Sequence, residues 1–151
     1  MRIYMEEKEV TAVNLALELE GAVITHELHA DESIYVFEDG WYPFWISMNA
    51  SLGYVCFKTH TRFKASSSQL QRLELCNALN LHSYLVTAAM QDEQLLLDHV
   101  LIYRDGLLRE TFIRACRQFS RNIQRGMDRL DPDNAVALRP GQTEPSDESA
   151  S

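Results

Sequence analysis

The chain has 151 residues, of which 46% are apolar and 24% charged. That balance suits one folded domain and excludes both wholesale disorder and a membrane protein, since no apolar run approaches the ~18 residues of a span. The net charge of −8 argues against duplex DNA or an anionic membrane as the main partner. The N-terminal residues turn acidic at Glu6 and Glu7 without an apolar signal core, and Cys56, Cys76 and Cys116 lack C-x-x-C spacing. The expected setting is therefore reduced and intracellular, which places the chain in the cytoplasm.

In chain order, Glu6 to Glu20 carries Val10, Val13 and Leu17 at helical spacing, adds Ala12, Leu15 and Leu19 on another flank, and stops at Gly21. Its apolar arc of ~220° is wider than one core needs, so the helix is expected to be covered on two sides. Ala22 to His29 reads either as a short strand or as a linker. Ser33 to Glu38, Tyr42 to Met48 and Gly53 to His60 are rich in aromatic and β-branched residues and are separated by turn residues. They read as an antiparallel meander. In the middle strand Tyr42, Phe44, Ile46 and Met48 share one face and Trp41, Pro43, Trp45 and Ser47 the other, with Pro43 favouring an edge or the strand's start.

Ser66 and Gln69 stand at capping-box spacing before a second helix over about Ser67 to Asn80. Leu70, Leu73, Leu75, Cys76 and Leu79 again sweep ~220°. Strands over Tyr84 to Met90 and Gln94 to Tyr103 follow, and the second, apolar on both faces, reads as a central strand. Asp105-Gly106 turns into a third helix, Leu108 to Leu130, with Phe112, Cys116, Phe119, Ile123, Met127 and Leu130 on one stripe. Arg114, Arg117, Arg121, Arg125 and Arg129 lie within ~120° of one another on the opposite side. From Asp131 to Ser151 the chain holds three of its four prolines and five acids against one base, Arg139. This stretch reads as a disordered, acidic tail, leaving a folded domain over residues 1 to 130.

The order helix, three strands, helix, two strands, helix resembles the YbjN-domain family, whose fold is like that of the type III secretion chaperones. The resemblance spans roughly residues 6 to 130. It is carried by Trp41-Tyr42-Pro43-Phe44-Trp45-Ile46, by Leu75-Cys76-Asn77-Ala78-Leu79-Asn80, and by Asp105-Gly106-Leu107 leading into Phe112-Ile113. It implies an intracellular homodimer with one antiparallel sheet flanked by helices, no catalytic site, and a regulatory or chaperone-like role. The long Ala22 to Asp31 link and the acidic tail depart from that pattern.

Chemistry-bearing patterns are few. His26 and His29 fall on opposite faces of an extended segment, with no Cys or carboxylate at zinc-site spacing and no H-E-x-x-H, so neither metal nor cofactor is expected. Cys76 and Cys116 sit on apolar helix faces and Cys56 alternates with Val55 and Phe57, which reads all three as small buried hydrophobes and not nucleophiles. No phosphate-cradling glycine motif occurs, and Asp31-Glu32 and Asp92-Glu93 lie in turns. Asn80 reads as a helix stop, and Asn77 as a side chain bonding to a neighbouring element.

The candidate protein-binding residues are the arginines Arg114, Arg117, Arg121 and Arg125, which suit carboxylate or phosphate, together with Trp41 and Trp45 on the aromatic strand. Leu75 and Leu79, on the broad arc of helix two, are the candidate dimer contacts. The overall expectation is an α+β domain of about five antiparallel strands and three helices. It would act as a homodimeric, non-catalytic protein-binding regulator or chaperone-like adaptor. The alternatives are an RNA-binding protein using the arginine stripe and a small-molecule sensor using the aromatic strand.

Overall fold

In the computed structural model, which describes residues 2 to 144, the chain opens with a short strand β1 (Tyr4–Met5) and a 3-10 turn (Glu7–Glu9) before α1 (Ala12–Gly21). The first helix thus starts later than its apolar spacing predicts, for a local reason. Glu9 reaches back to the Glu6 N–H at 2.8 Å and closes a separate turn, and Thr11 Oγ1 then caps α1 by accepting from the Asn14 N–H.

The remaining strands are β2 (His26–Leu28), β3 (Ile34–Val36), β4 (Phe44–Asn49), β5 (Tyr54–Arg62), β6 (Thr87–Gln91), β7 (Gln94–Ile102) and β8 (Leu107–Leu108). Six of them form one antiparallel sheet in the order β2-β3-β4-β5-β7-β6, while β1 pairs with β8 in a separate ribbon. The sheet is larger than the five strands expected because His26–Leu28 does pair with β3, extending the meander by one edge strand. Pro43 stands immediately before β4, where its missing N–H costs no ladder bond.

The helices α1, α2 (Gln69–His82) and α3 (Arg109–Leu130) all cover the same sheet face. Phe44, Ile46, Val55, Phe57, Leu95 and Leu97 point into that layer and are buried with Phe112 and Phe119 of α3. The Phe44 and Phe119 rings meet edge to face at 5.2 Å. The alternating residues Trp45, Cys56, Lys58, His60, Val100 and Ile102 point the other way, where none of the helices among the described residues covers them. Strand β7 is therefore apolar on both faces without being buried on both: it is internal to the sheet, but Val100 and Ile102 are exposed.

Two polar contacts place α3 against the sheet's aromatic strand. The buried Ser120 Oγ accepts from the Tyr42 N–H at 2.7 Å, and Gln124 Nε2 donates to the Gly40 carbonyl at 2.7 Å. A half-buried ion pair between Glu18 and Arg109 ties α1 to the start of α3. Gly126 lets α2 approach α3 closely, since a Cβ there would stand 3.0 Å from Leu79 Cδ2 and 2.7 Å from Ser83 Oγ.

Three local expectations are corrected. The capping box of α2 is Ser68 with Gln71, two residues later than Ser66 with Gln69. The buried Ser67 is engaged elsewhere: its hydroxyl donates to the Lys64 carbonyl and accepts from Arg72 Nε. Neither asparagine has the role expected of it. Asn80 donates to the Ala88 carbonyl and accepts the Ala88 N–H, completing the exposed edge of β6, whereas Asn77 faces solvent. The helix runs past Asn80 to His82.

The largest correction concerns the segment after α3. Asp131, only 3% exposed, accepts the N–H groups of Ala135, Val136 and Ala137 at 2.9 to 3.3 Å. This folds the chain back so that Ala137 bridges Phe63, the Lys64 N–H donates to the Val136 carbonyl, and the Leu138 N–H donates to the Arg62 carbonyl. Ala137 and Leu138 are buried. The packed unit extends past residue 130, because one carboxylate replaces the apolar periodicity whose absence had marked a solvated tail. The rest of that expected tail, from Pro145 on, lies outside the described residues.

Candidate functional site

The arginine stripe is laid out as its spacing requires. Arg114, Arg117, Arg121, Arg125 and Arg129 are all exposed on α3, opposite the buried Phe112, Phe119 and Ile123. Arg114 pairs with Glu110 one turn earlier at 2.5 Å. Among the described residues Arg117, Arg121, Arg125 and Arg129 make no ion pair. The two acids on the same side of the helix are engaged elsewhere, Glu110 with Arg114 and Asp128 with Arg139 at 3.7 Å.

Trp41 joins this stripe. The turn Asp39-Gly40-Trp41 is held against α3 by the Tyr42 and Gln124 bonds, which opens a groove of about 330 Å³ lined by Gly40, Trp41, Arg117, Ser120, Arg121 and Gln124. Trp41 is half-buried and lies parallel to Phe44 at 6.5 Å, so it offers an aromatic edge beside two guanidinium groups.

Trp45, grouped with Trp41 at the level of sequence, goes to the opposite side of the sheet. Its ring packs against Tyr35 at 4.8 Å and His29 at 4.9 Å. The register sets it directly beside Lys58 of β5. His29, Ala30, Asp31 and Ser33 of the β2–β3 loop, with Trp45, Lys58 and His60, line a depression of about 640 Å³. Sequence reading missed His29, Lys58 and His60 as a group. Period-two spacing does put Lys58 and His60 on one face, but the return of the His29 loop over Trp45 is a tertiary event.

Leu75 and Leu79 do not form a surface: they are 5% and 0% exposed in the single chain. Their side of α2 packs on the core, and the uncovered side carries Leu70, Leu73 and Leu81, which are 65%, 46% and 69% exposed. These three leucines and Asn77 fall within ~80° on the helix, so they make one stripe. The broad arc of α1 is likewise covered on one side only, with Val13 and Leu17 left exposed.

The thiols are chemically quiet. Burial raises all three, most strongly the fully buried Cys116, so each is held as the thiol and not as the nucleophilic thiolate. Cys56 departs from expectation by sitting half-buried on the open sheet face. Burial also lowers His99, whose ring stacks on Phe57 at 5.9 Å, so it is neutral near pH 7. No group of three His, Cys, Asp or Glu able to hold a metal ion occurs among the described residues, and none of their helices is long and apolar enough to cross a membrane.

The comparisons with known proteins bear on the whole of this architecture. The chain matches none of the curated proteins. Among solved structures it is similar to the crystal structure of YbjN from E. coli, described as "a putative transcription regulator", with a TM-score of 0.67 and 19% identity over 83% of this chain and 94% of that one. That likeness speaks to the fold. The family model for YbjN, described as "Putative bacterial sensory transduction regulator", matches residues 11–132, from the cap of α1 to the residue after Asp131. With that match over most of its length, this chain belongs to the YbjN family.

Proposed function

We propose that this chain is a non-catalytic regulator that acts as a homodimeric adaptor and docks an acidic protein segment along α3. The observation that carries the reading is the row Arg117, Arg121, Arg125 and Arg129, exposed, without acid partners among the described residues, and flanked by the Trp41 groove. Successive arginines are one i,i+4 step apart, ~6 Å along the helix. Carboxylates on alternate residues of an extended chain are spaced ~6.6 Å, close enough to be met one by one in bidentate pairs. Trp41 supplies an apolar contact that bare phosphate would not use. The family description as a regulator is consistent with a binding role.

The test is fluorescence anisotropy with a labelled peptide carrying glutamate at alternate positions. Arg117→Glu, Arg121→Glu and Arg125→Glu together should abolish binding and leave the far-UV spectrum unchanged, because exposed charges each contribute less than ~1 kcal/mol to the fold. Equal binding by the reversed variant would end the proposal. Tighter capture of a single-stranded oligoribonucleotide, falling steeply between about 50 and 200 mM salt, would transfer the stripe to RNA.

The homodimer rests on the α2 stripe. Leu70, Leu73 and Leu81 form an exposed apolar row interrupted by Asn77, a pattern that two copies of a helix can pair while the asparagines set the register. Light scattering of the unmodified protein at micromolar concentration should give a dimer, and Leu73→Lys should give a folded monomer. A monomer in the first measurement removes the dimer; a dimer in the second moves its interface away from α2.

A further inference from the structure

The depression over Trp45 has no part in the α3 docking surface, lying on the other face of the sheet, and its lining has a chemistry of its own. Its floor is aromatic: Trp45, with Tyr35 and His29 packed against its ring. Its rim is polar and mostly basic. Lys58 is exposed and makes no ion pair among the described residues; its strand neighbours are Trp45 on one side and Asp98 on the other. His60 lies two residues further along the same face of β5. His29 Nε2 is shielded from water without a hydrogen-bond partner, its nearest acid being Glu27 at 4.0 Å.

The one acid in the lining is already engaged. Asp31 Oδ1 accepts from Ser33 Oγ at 2.5 Å and from the Ser33 N–H at 3.1 Å, and those bonds hold its pKa below the ordinary value. Those contacts shape the loop that forms one wall and occupy Asp31 Oδ1, and beside that carboxylate the lining carries an ammonium and two imidazoles. A purely apolar ligand would cover the Lys58 head group without compensating it. A cation would meet the lysine. A ligand with a flat apolar body and one anionic group satisfies both floor and rim, and a volume of about 640 Å³ is within the range of small-molecule sites.

We propose that this depression binds a small aromatic carboxylate, its ring stacked on Trp45 and its carboxylate held by Lys58, with His60 as a further donor. The ligand would give the regulator a chemical input on the sheet face opposite the one where it meets its partner.

Titration of the Trp41→Phe variant, in which Trp45 is the sole tryptophan fluorophore, reads the site directly. Indole is too fluorescent to serve, so the probes are benzoate, 4-hydroxybenzoate and cinnamate, with toluene and acetate as the uncharged and ringless comparisons. Saturable quenching is expected with the three aromatic carboxylates and not with the comparisons. Lys58→Gln, a change at an exposed position, should weaken it about tenfold or more, ~1.4 kcal/mol per tenfold. Isothermal calorimetry of the unmodified protein and of Trp45→Leu, with folding of each verified by its far-UV spectrum, supplies a second readout in which the leucine variant should lose binding. Absence of saturation with all three probes, equal response to acetate, or indifference to Lys58→Gln would overturn the proposal. None of these outcomes touches the arginine stripe, whose peptide assay uses a different face.

Discussion

A Leu79→Glu variant is expected not to fold, instead of yielding a folded monomer. Leu79 is 0% exposed and reaches Gly126 where α2 meets α3. A carboxylate there would be buried without a partner, and either its charge or its forced protonation costs several kcal/mol, while the lost leucine leaves its neighbours unpacked. Total domain stability is of order 5 to 15 kcal/mol, so a loss of roughly 5 removes most of the folded population. Far-UV circular dichroism and a urea titration check it, with Leu73→Lys, on the exposed side of the same helix, alongside as the folded comparison. A cooperative melt for Leu79→Glu within a few degrees of the unmodified protein would mean that α2 is turned the other way.

Asp131→Ala is expected to lower stability by about 3 to 5 kcal/mol, because it strands three backbone N–H groups whose only acceptor among the described residues is that buried carboxylate. The loss does not stop at the turn. The fold-back carries Ala137 and Leu138 onto the end of β5, supplies the Leu138 carbonyl to the Thr61 hydroxyl at 2.7 Å, and sets Arg139 against the carbonyls of Met127 in the last turn of α3 and of Asp131 just after it. A fall of roughly 10 °C in melting temperature is therefore expected. Truncation after Asp131 should produce a loss at least as large, since it removes the same apolar cover along with the bonds. Asp131→Asn keeps an acceptor oxygen and should lose less. An unchanged melting curve for the truncated chain would return residues 132 to 144 to the solvated tail their composition describes.

These cases mark the line between what was legible in the sequence and what was not. The type and order of the main elements were legible, because helix and strand periodicity are properties of neighbouring residues. The Phe112, Phe119, Ile123 stripe and the arginines opposite it follow from 3.6 residues per turn, and the faces of β4 from a period of two. The broad arcs of α1 and α2 predict cover on two sides, whereas within the chain each is covered on one, and width alone cannot say which flank that is. Leu75 and Leu79 lie inward, and Leu70, Leu73 and Leu81 outward, only because α3 and the sheet happen to meet α2 on that side.

The same limit explains the rest. The composition of residues 131 to 144 is that of solvated chain, and a single carboxylate with three suitably placed N–H groups overrides it. Trp41 and Trp45, four residues apart, part company because the turn carrying Trp41 bonds to α3 while Trp45, beyond the strand's start, obeys the pleat and faces away. Its companions His29, Lys58 and His60 come from β5 and from the loop after β2. Local patterning thus determined the elements, their faces and the arginine stripe. Only the tertiary structure decided which faces stay open and which distant side chains share a site, since those depend on packing between segments that no periodicity within a segment encodes.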